Sequence, residues 1–205
     1  MFTNWPDVIG GECGFRKTGF LCLVSPSDMD GLRTNTEMLR GVGVSTWVIC
    51  TEEVVRLQPF LSTDALGGTA YEPDSGFTDG WSTTLSLVNA ACELGVQVFL
   101  NSPATHLIVE GERIRGVETP QHTIESSIIV LAADAWSGHL DHTAGVELAV
   151  APRRIAAAIL QRPTEVTEHM TYIDMSIGFY IRPYSPGLSL VCVASITPAG
   201  AANAD

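Results

Sequence analysis

Hydrophobic and polar positions along this 205-residue chain repeat with the two periods of regular secondary structure. Thr18 to Val24, TGFLCLV, is an apolar run of strand length. Asp28 to Arg40, DMDGLRTNTEMLR, follows with an acidic start and a basic end, the polarity that a helix dipole favours. Residues 52 to 58, EEVVRLQ, predict a short helix closed by Pro59, and Tyr71 to Gly80, YEPDSGFTDG, predicts a turn-rich loop dense in Asp, Gly and Pro. From Ser82 to Leu94, the residues Leu85, Val88, Ala91 and Cys92 recur at helical spacing. Gly95 then stands where a left-handed cap belongs, and Val96 to Leu100 predicts a strand directly after it. Thr105 to Thr119 alternates twice about Glu110-Gly111-Glu112, a hairpin with glycine at its turn, and PQHTIESS adds a third short strand. The most informative stretch is Ile128 to Leu140, IIVLAADAWSGHL. Its opening run is apolar on both faces and predicts a buried, parallel strand. That strand ends in Ala132, Ala133 and Ala135, so little side-chain bulk stands at its carboxyl end, where open α/β sheets bind ligands.

Composition narrows the class. With 45% hydrophobic and 17% charged residues the chain can bury a substantial core, as one large domain or two small ones. A net charge of −12, with only 11 Lys plus Arg, argues against a nucleic-acid backbone or an anionic membrane surface as partner. Cys13, Cys22, Cys50, Cys92 and Cys192 form an odd set without C-x-x-C spacing, which fits reduced thiols better than disulfides or a zinc site. The start, MFTNWPDVIGG, lacks the charged and apolar regions of a signal peptide, and no apolar stretch is long enough to span a bilayer. These features predict a soluble, cytoplasmic protein. The small-residue tail Thr197 to Asp205 reads as a frayed or truncated end.

Helix, strand, β-meander and a buried strand ending in Ala-Ala-x-Ala-Trp-Ser form an order that resembles the FAD-dependent oxidoreductases of the D-amino-acid oxidase, glycine oxidase and sarcosine oxidase family. The resemblance runs through GFRKTGFLCLV, LRGVGVSTWVI with TEEVVRLQPFL, YEPDSGFTDG, AACELGVQVFLNSPATHLIVEGERIRGVET, IIVLAADAWSGHL, GVELAVAPRRIAAAIL and GFYIRP. It implies an α/β chain, α+β overall, made of part of a doubly wound FAD-binding sheet with a β-meander and part of a mixed or antiparallel substrate-domain sheet. Residues 1–75 would belong to the substrate domain, 76–145 to the FAD-binding domain, and 146–205 to the substrate domain again, cut short at the C-terminus.

The resemblance also implies roles. Backbone groups of Ala132, Ala133, Asp134, Ala135, Trp136 and Ser137 would contact the flavin dinucleotide, and Ala104, after Pro103, would meet the adenine with its main chain. Asp134 stands where the family carries glycine, which permits close approach and positive φ, whereas a carboxylate beside a pyrophosphate repels it. The family's opening strand, G-x-G-x-x-G turn and helix have no counterpart here. Gly41 and Gly43 in RGVGVST follow a helix and precede a strand, the reverse of the required context, and read as a helix cap; GGECG at Gly10 to Gly14 has the wrong spacing. The implied reaction is oxidation of a C–N bond in a small amino acid or secondary amine, with hydride passing to FAD and the imine hydrolysing in water. The alternative is a non-catalytic fragment or subunit of that fold that does not bind FAD by itself. A partner subunit or a homo-oligomer is compatible with either.

GFYIRPY (Gly178 to Tyr184) alternates as a strand, with Tyr180 and Arg182 on one face and Phe179 and Ile181 on the other. A guanidinium fork beside a phenol suits a substrate carboxylate; a solvated strand face is the plainer reading. Tyr71, Glu72, Asp74 and Asp79 either line a site, bind a cation or form a solvated turn. Arg153 and Arg154 are either a basic pair at the crossover into the substrate sheet or surface charges. His106, His122, His139, His142 and His169 lack metal-ligand spacing, and no metal site is expected.

Overall fold

The computed structural model describes residues 1–150, 155–166 and 168–194. Arg153, Arg154 and the tail from Thr197 lie outside them. In chain order the elements are α1 (Trp5–Val8), β1 (Arg16–Lys17), β2 (Phe20–Val24), α2 (Met29–Gly41), β3 (Trp47–Ile49), α3 (Thr51–Leu57), β4 (Gly68–Glu72), β5 (Gly76–Phe77) and α4 (Gly80–Glu93). Then come β6 (His106–Glu110), β7 (Arg113–Glu118), β8 (Thr123–Glu125), α5 (Ser137–Leu140), β9 (Ile155–Gln161), β10 (Thr171–Asp174), β11 (Phe179–Ser185) and β12 (Leu188–Ala194). The described residues form two compact units, one of Met1–Gly95 with the chain from Ile155 on, the other beginning at Val96.

The first unit is built on a seven-stranded mixed sheet of order β3-β4-β2-β10-β11-β12-β9, with β1 and β5 as a separate two-stranded ribbon. Among the described strands only β2 and β10 run parallel, pairing Thr171 with Phe20 through Asp174 with Leu23. Because side chains alternate along β2, its residues serve two layers. Leu21 and Leu23 enter a core with Ile49 of β3 and Val54 of α3, while Val24 packs with Ala70 of β4 and Leu32 of α2 on the opposite side. Helix α2 ends where the glycines predict: Gly43 has φ +88° and its amide donates to the Arg40 carbonyl. Helix α4 begins at an Asp79 cap, whose carboxylate accepts from the Ser82 amide at 2.8 Å, and it closes at Gly95 with φ +91°. The Ser86 hydroxyl donates to the Glu12 carbonyl at 2.7 Å and ties α4 to the N-terminal segment. This compact unit runs on to Gly95.

The second unit holds the predicted meander, β6-β7-β8, with Gly111 at φ +62° in the first turn. Asp141, buried, accepts the amides of His142 and Leu148 at 2.7 Å each, and the Thr143 hydroxyl accepts the Leu107 amide at 2.9 Å. These bonds brace the segment after α5 against the meander.

Two predicted strands do not form ladders. Val96 to Leu100 and Ile128 to Ala133 lie outside any sheet among the described residues, and Ile128 and Val130 are 79% and 84% exposed. An apolar run becomes a buried strand only when neighbouring strands take up its amides and carbonyls. No described strand does so here. The predicted loop from Tyr71 to Gly80 is more ordered than its composition suggests: Tyr71 and Glu72 close β4, and Gly76 and Phe77 form β5. Overall the chain is a mixed α/β protein with several sheets. No helix among the described residues is long and apolar enough to cross a membrane.

Candidate functional site

Strand β11 places Tyr180 and Arg182 on one face of the first unit's sheet, as the alternation predicts. Tyr180 lies opposite Ile173 of β10 and Cys192 of β12. The Cys192 thiol beside it and then burial push the Tyr180 hydroxyl above its ordinary range, against the pull of Arg182. That phenol stays a hydrogen-bond donor at neutral pH. Arg182, half-buried, sits over the ring of Phe77, 4.5 Å from guanidinium carbon to centroid. The acidic residues of the preceding segment are each engaged. Lys17 donates to Asp74 at 2.5 Å, Ser75 donates to Glu72 at 2.6 Å, and Asp79 caps α4. The Ser82 amide and hydroxyl hold the Asp79 carboxyl below its usual range, with Arg182 adding to the effect.

In the second unit the small-residue turn is open. Ala104, Ala132, Asp134 and Trp136 are exposed, Ala133 and Ala135 half-exposed, and Ser137 buried. Asp134 adopts φ +47°, in the left-handed region where glycine is at ease and most residues are strained. Among the described residues no hydrogen bond takes up the amides of Ala133, which caps the short turn Asp134–Trp136, or of Asp134 and Ala135, which open it. Small side chains, exposed main chain and unclaimed donors fit a dinucleotide lying against this backbone. The Asp134 carboxylate is the one group of the set that opposes a diphosphate.

A second polar arrangement, absent from the sequence reading, lies on the other face of the first unit's sheet. The His169 imidazole packs between the Met170 carbonyl at Nδ1 and the Ser189 hydroxyl at Nε2, both at 2.7 Å. A carbonyl only accepts, so Nδ1 carries the proton and Nε2 accepts from Ser189. Arg162 donates to the Leu188 carbonyl at 2.7 Å and to the Ser189 hydroxyl at 3.3 Å, and the Gln58 side chain accepts the Met170 amide at 3.1 Å. Ser189 is 1% exposed. A cavity of about 730 Å³ beside this network is lined by Arg16, Lys17, Gln58, Arg162, His169 and Pro183, and neither Tyr180 nor Arg182 borders it.

Burial, then the Arg162 charge, hold His169 below its ordinary value near 6.5, against the Met170 carbonyl. The folded chain therefore binds fewer protons at this residue than the unfolded chain once pH falls below about 6.5, and stability declines with pH there. Urea midpoints measured from pH 7.5 to 5 are expected to fall for the wild type. They stay flatter for His169→Gln, whose amide can still meet both partners. Parallel declines in the two proteins would remove His169 as the source. The other histidines gather no metal set: among the described residues, no three His, Cys, Asp or Glu side chains are grouped to hold an ion. All five cysteines are free.

A family model described as DAO, FAD dependent oxidoreductase, matches residues 3–202. Human mitochondrial sarcosine dehydrogenase is 27% identical over 187 residues, covering 88% of this chain and 20% of that protein. The mouse mitochondrial pyruvate dehydrogenase phosphatase regulatory subunit is 26% identical over 184 residues, covering 87% of this chain and 21% of that protein. Among solved structures, L-proline dehydrogenase from P. horikoshii superposes with a TM-score of 0.77 at 21% identity, over 96% of this chain and 54% of that one. Glycine oxidase from Geobacillus kaustophilus gives 0.74 at 21% identity, over 96% and 52%. The chain thus spans about a fifth of the curated relatives and about half of the solved structures.

Proposed function

This chain belongs to the DAO family of FAD dependent oxidoreductases, and from that premise we propose that it serves an enzyme oxidising the C–N bond of a small amino acid or secondary amine. The observation that carries this reading is the open turn from Ala132 to Ser137, with its left-handed Asp134. Backbone groups of Ala132 to Ser137 and of Ala104 would hold the dinucleotide. FAD, when bound, supplies the two-electron acceptor that no protein side chain provides. The remaining work falls to this chain's residues. Arg182 presents paired N–H donors to the substrate carboxylate, and the Tyr180 phenol, kept protonated beside Cys192, donates a further hydrogen bond. Together they fix the substrate's orientation. The name of the human relative, sarcosine dehydrogenase, agrees with an N-methyl amino acid as substrate.

A second reading is a non-catalytic subunit of the same fold that does not bind FAD by itself. The Asp134 carboxylate favours it, and so does a relative named as a regulatory subunit. A partner subunit or a homo-oligomer belongs to the proposal under both readings. A cytoplasmic location, resting on the five free thiols, is proposed as well, although the relatives named above are mitochondrial.

Flavin binding decides between the readings. The purified chain is incubated with FAD, freed of excess, and scanned for flavin absorbance. Retained absorbance supports the enzyme; a colourless chain supports the subunit. Asp134→Gly relieves a left-handed non-glycine residue and removes a charge beside the diphosphate, so FAD affinity is expected to rise about tenfold. Equal affinities would show that the turn does not meet the diphosphate.

A further inference from the structure

Arg182 is held by a segment that the sequence presents as a plain turn. Its guanidinium lies 4.5 Å from the Phe77 centroid and 5.8 Å from that of Tyr184, and Nη1 donates to the Pro183 carbonyl at 3.1 Å. Nε and Nη2 make no hydrogen bond among the described residues. Phe77 reaches this place through the β1–β5 ribbon, where it pairs with Arg16 while Gly76 pairs with Lys17. A Cβ at position 76 would collide with the Arg16 carbonyl oxygen, so the ribbon closes only on glycine. Two residues past Phe77, the segment is fixed again: the Asp79 amide donates to the Cys13 carbonyl at 2.9 Å, and the Asp79 carboxylate accepts the Ser82 amide and hydroxyl at 2.8 Å each. Both flanks of the ring are therefore anchored by backbone hydrogen bonds.

We infer that Phe77 is a positioning residue for carboxylate recognition, holding the Arg182 guanidinium so that its Nε–Nη2 edge faces one planar carboxylate. This rests on the reading of Arg182 as the carboxylate partner. A ring 4.5 Å from the guanidinium carbon and a carbonyl on Nη1 restrain the side chain from swinging. What remains without a hydrogen bond among the described residues is a two-donor fork whose spacing matches the two oxygens of a carboxylate. A ligand bearing one carboxylate satisfies that edge completely. The pre-set orientation saves the rotamer entropy that a free arginine would lose on binding.

The test uses the chain as it stands, without flavin, with acetate as probe and the Arg182 Nε–H resonance as reporter. In the wild type that proton is shifted upfield by the Phe77 ring, and acetate moves it in a saturable way. Phe77→Leu loses the upfield shift and weakens acetate about fivefold, as loss of one exposed cation–π contact implies. Phe77→Tyr restores both, which a general loss of packing would not do. If acetate affinity at Arg182 is the same in wild type and Phe77→Leu, the positioning role is overturned while the carboxylate reading stands. An Arg182 signal without the ring-current shift in the wild type overturns the stack itself, with no variant required. An Arg182 signal that acetate does not move in the wild type overturns the carboxylate reading, and the inference with it.

Discussion

Leu21→Ala lowers the stability of the sheet unit by about 3 kcal/mol, within the range for emptying a buried leucine site, and is expected to cut the melting temperature by roughly 10 °C. Leu21 is 0% exposed, on a strand flanked by β4 and β10, and packs with Leu23, Ile49 and Val54. A strand between two neighbours cannot move to fill the space left by the side chain, because its backbone is fixed from both sides. The lost term is therefore both the transfer of the removed atoms and the cavity they leave. Against a typical total of about 5–15 kcal/mol, that is a large share. Thermal unfolding followed by circular dichroism measures it. Ile128→Ser is the contrast: at 79% exposure it changes stability by no more than about 0.5 kcal/mol. A drop for Ile128→Ser as large as that for Leu21→Ala would mean that the 128–133 run is buried after all.

On the proposed function, Arg182→Met in the FAD-loaded protein is expected to reduce kcat/KM for an N-methyl amino acid by about a hundredfold, or roughly 2.7 kcal/mol, the scale of a two-donor charged contact left unmade. Methionine keeps an unbranched apolar chain of similar reach and removes the charge and the fork, together with the guanidinium contact to Phe77. Folding is expected to be nearly unchanged, since Arg182 is half-buried and, among the described residues, its side chain donates only to the carbonyl of the next residue. Arg182→Lys recovers little, because an ammonium offers no fork and stacks poorly. Steady-state kinetics against an amine lacking the carboxylate completes the test. If the variant slows both substrates equally, Arg182 acts on something other than the carboxylate.

Local elements were readable wherever a short stretch carries its own reason. The acidic start and glycine end of α2, the helical spacing of α4 and the glycine of the β6–β7 turn each encode a backbone conformation in adjacent residues. So was the side of the strand on which Tyr180 and Arg182 stand, since alternation is a property of the strand alone. At Asp134 the resemblance singled out a position that favours glycine, and the backbone there is left-handed. The apolar runs Val96 to Leu100 and Ile128 to Ala133 misled the reading, because hydrophobicity reports what a segment would gain from burial and not whether a neighbour is present to bury it. Phe77 was passed over inside a turn-like composition, and no local signal ties it to a residue more than a hundred positions away.

By itself the sequence determined the family, the helix ends, the meander and the strand that carries Tyr180 and Arg182, because each rests on residue types within a few positions of one another. Only the tertiary structure decided that β2 and β10 run side by side in parallel, that Gln58, Arg162, His169 and Ser189 share one buried network, and that Phe77 seats Arg182. Those contacts join segments distant along the chain, and their partners are chosen by which surfaces meet when the sheet closes, a quantity that no local pattern of polar and apolar residues contains.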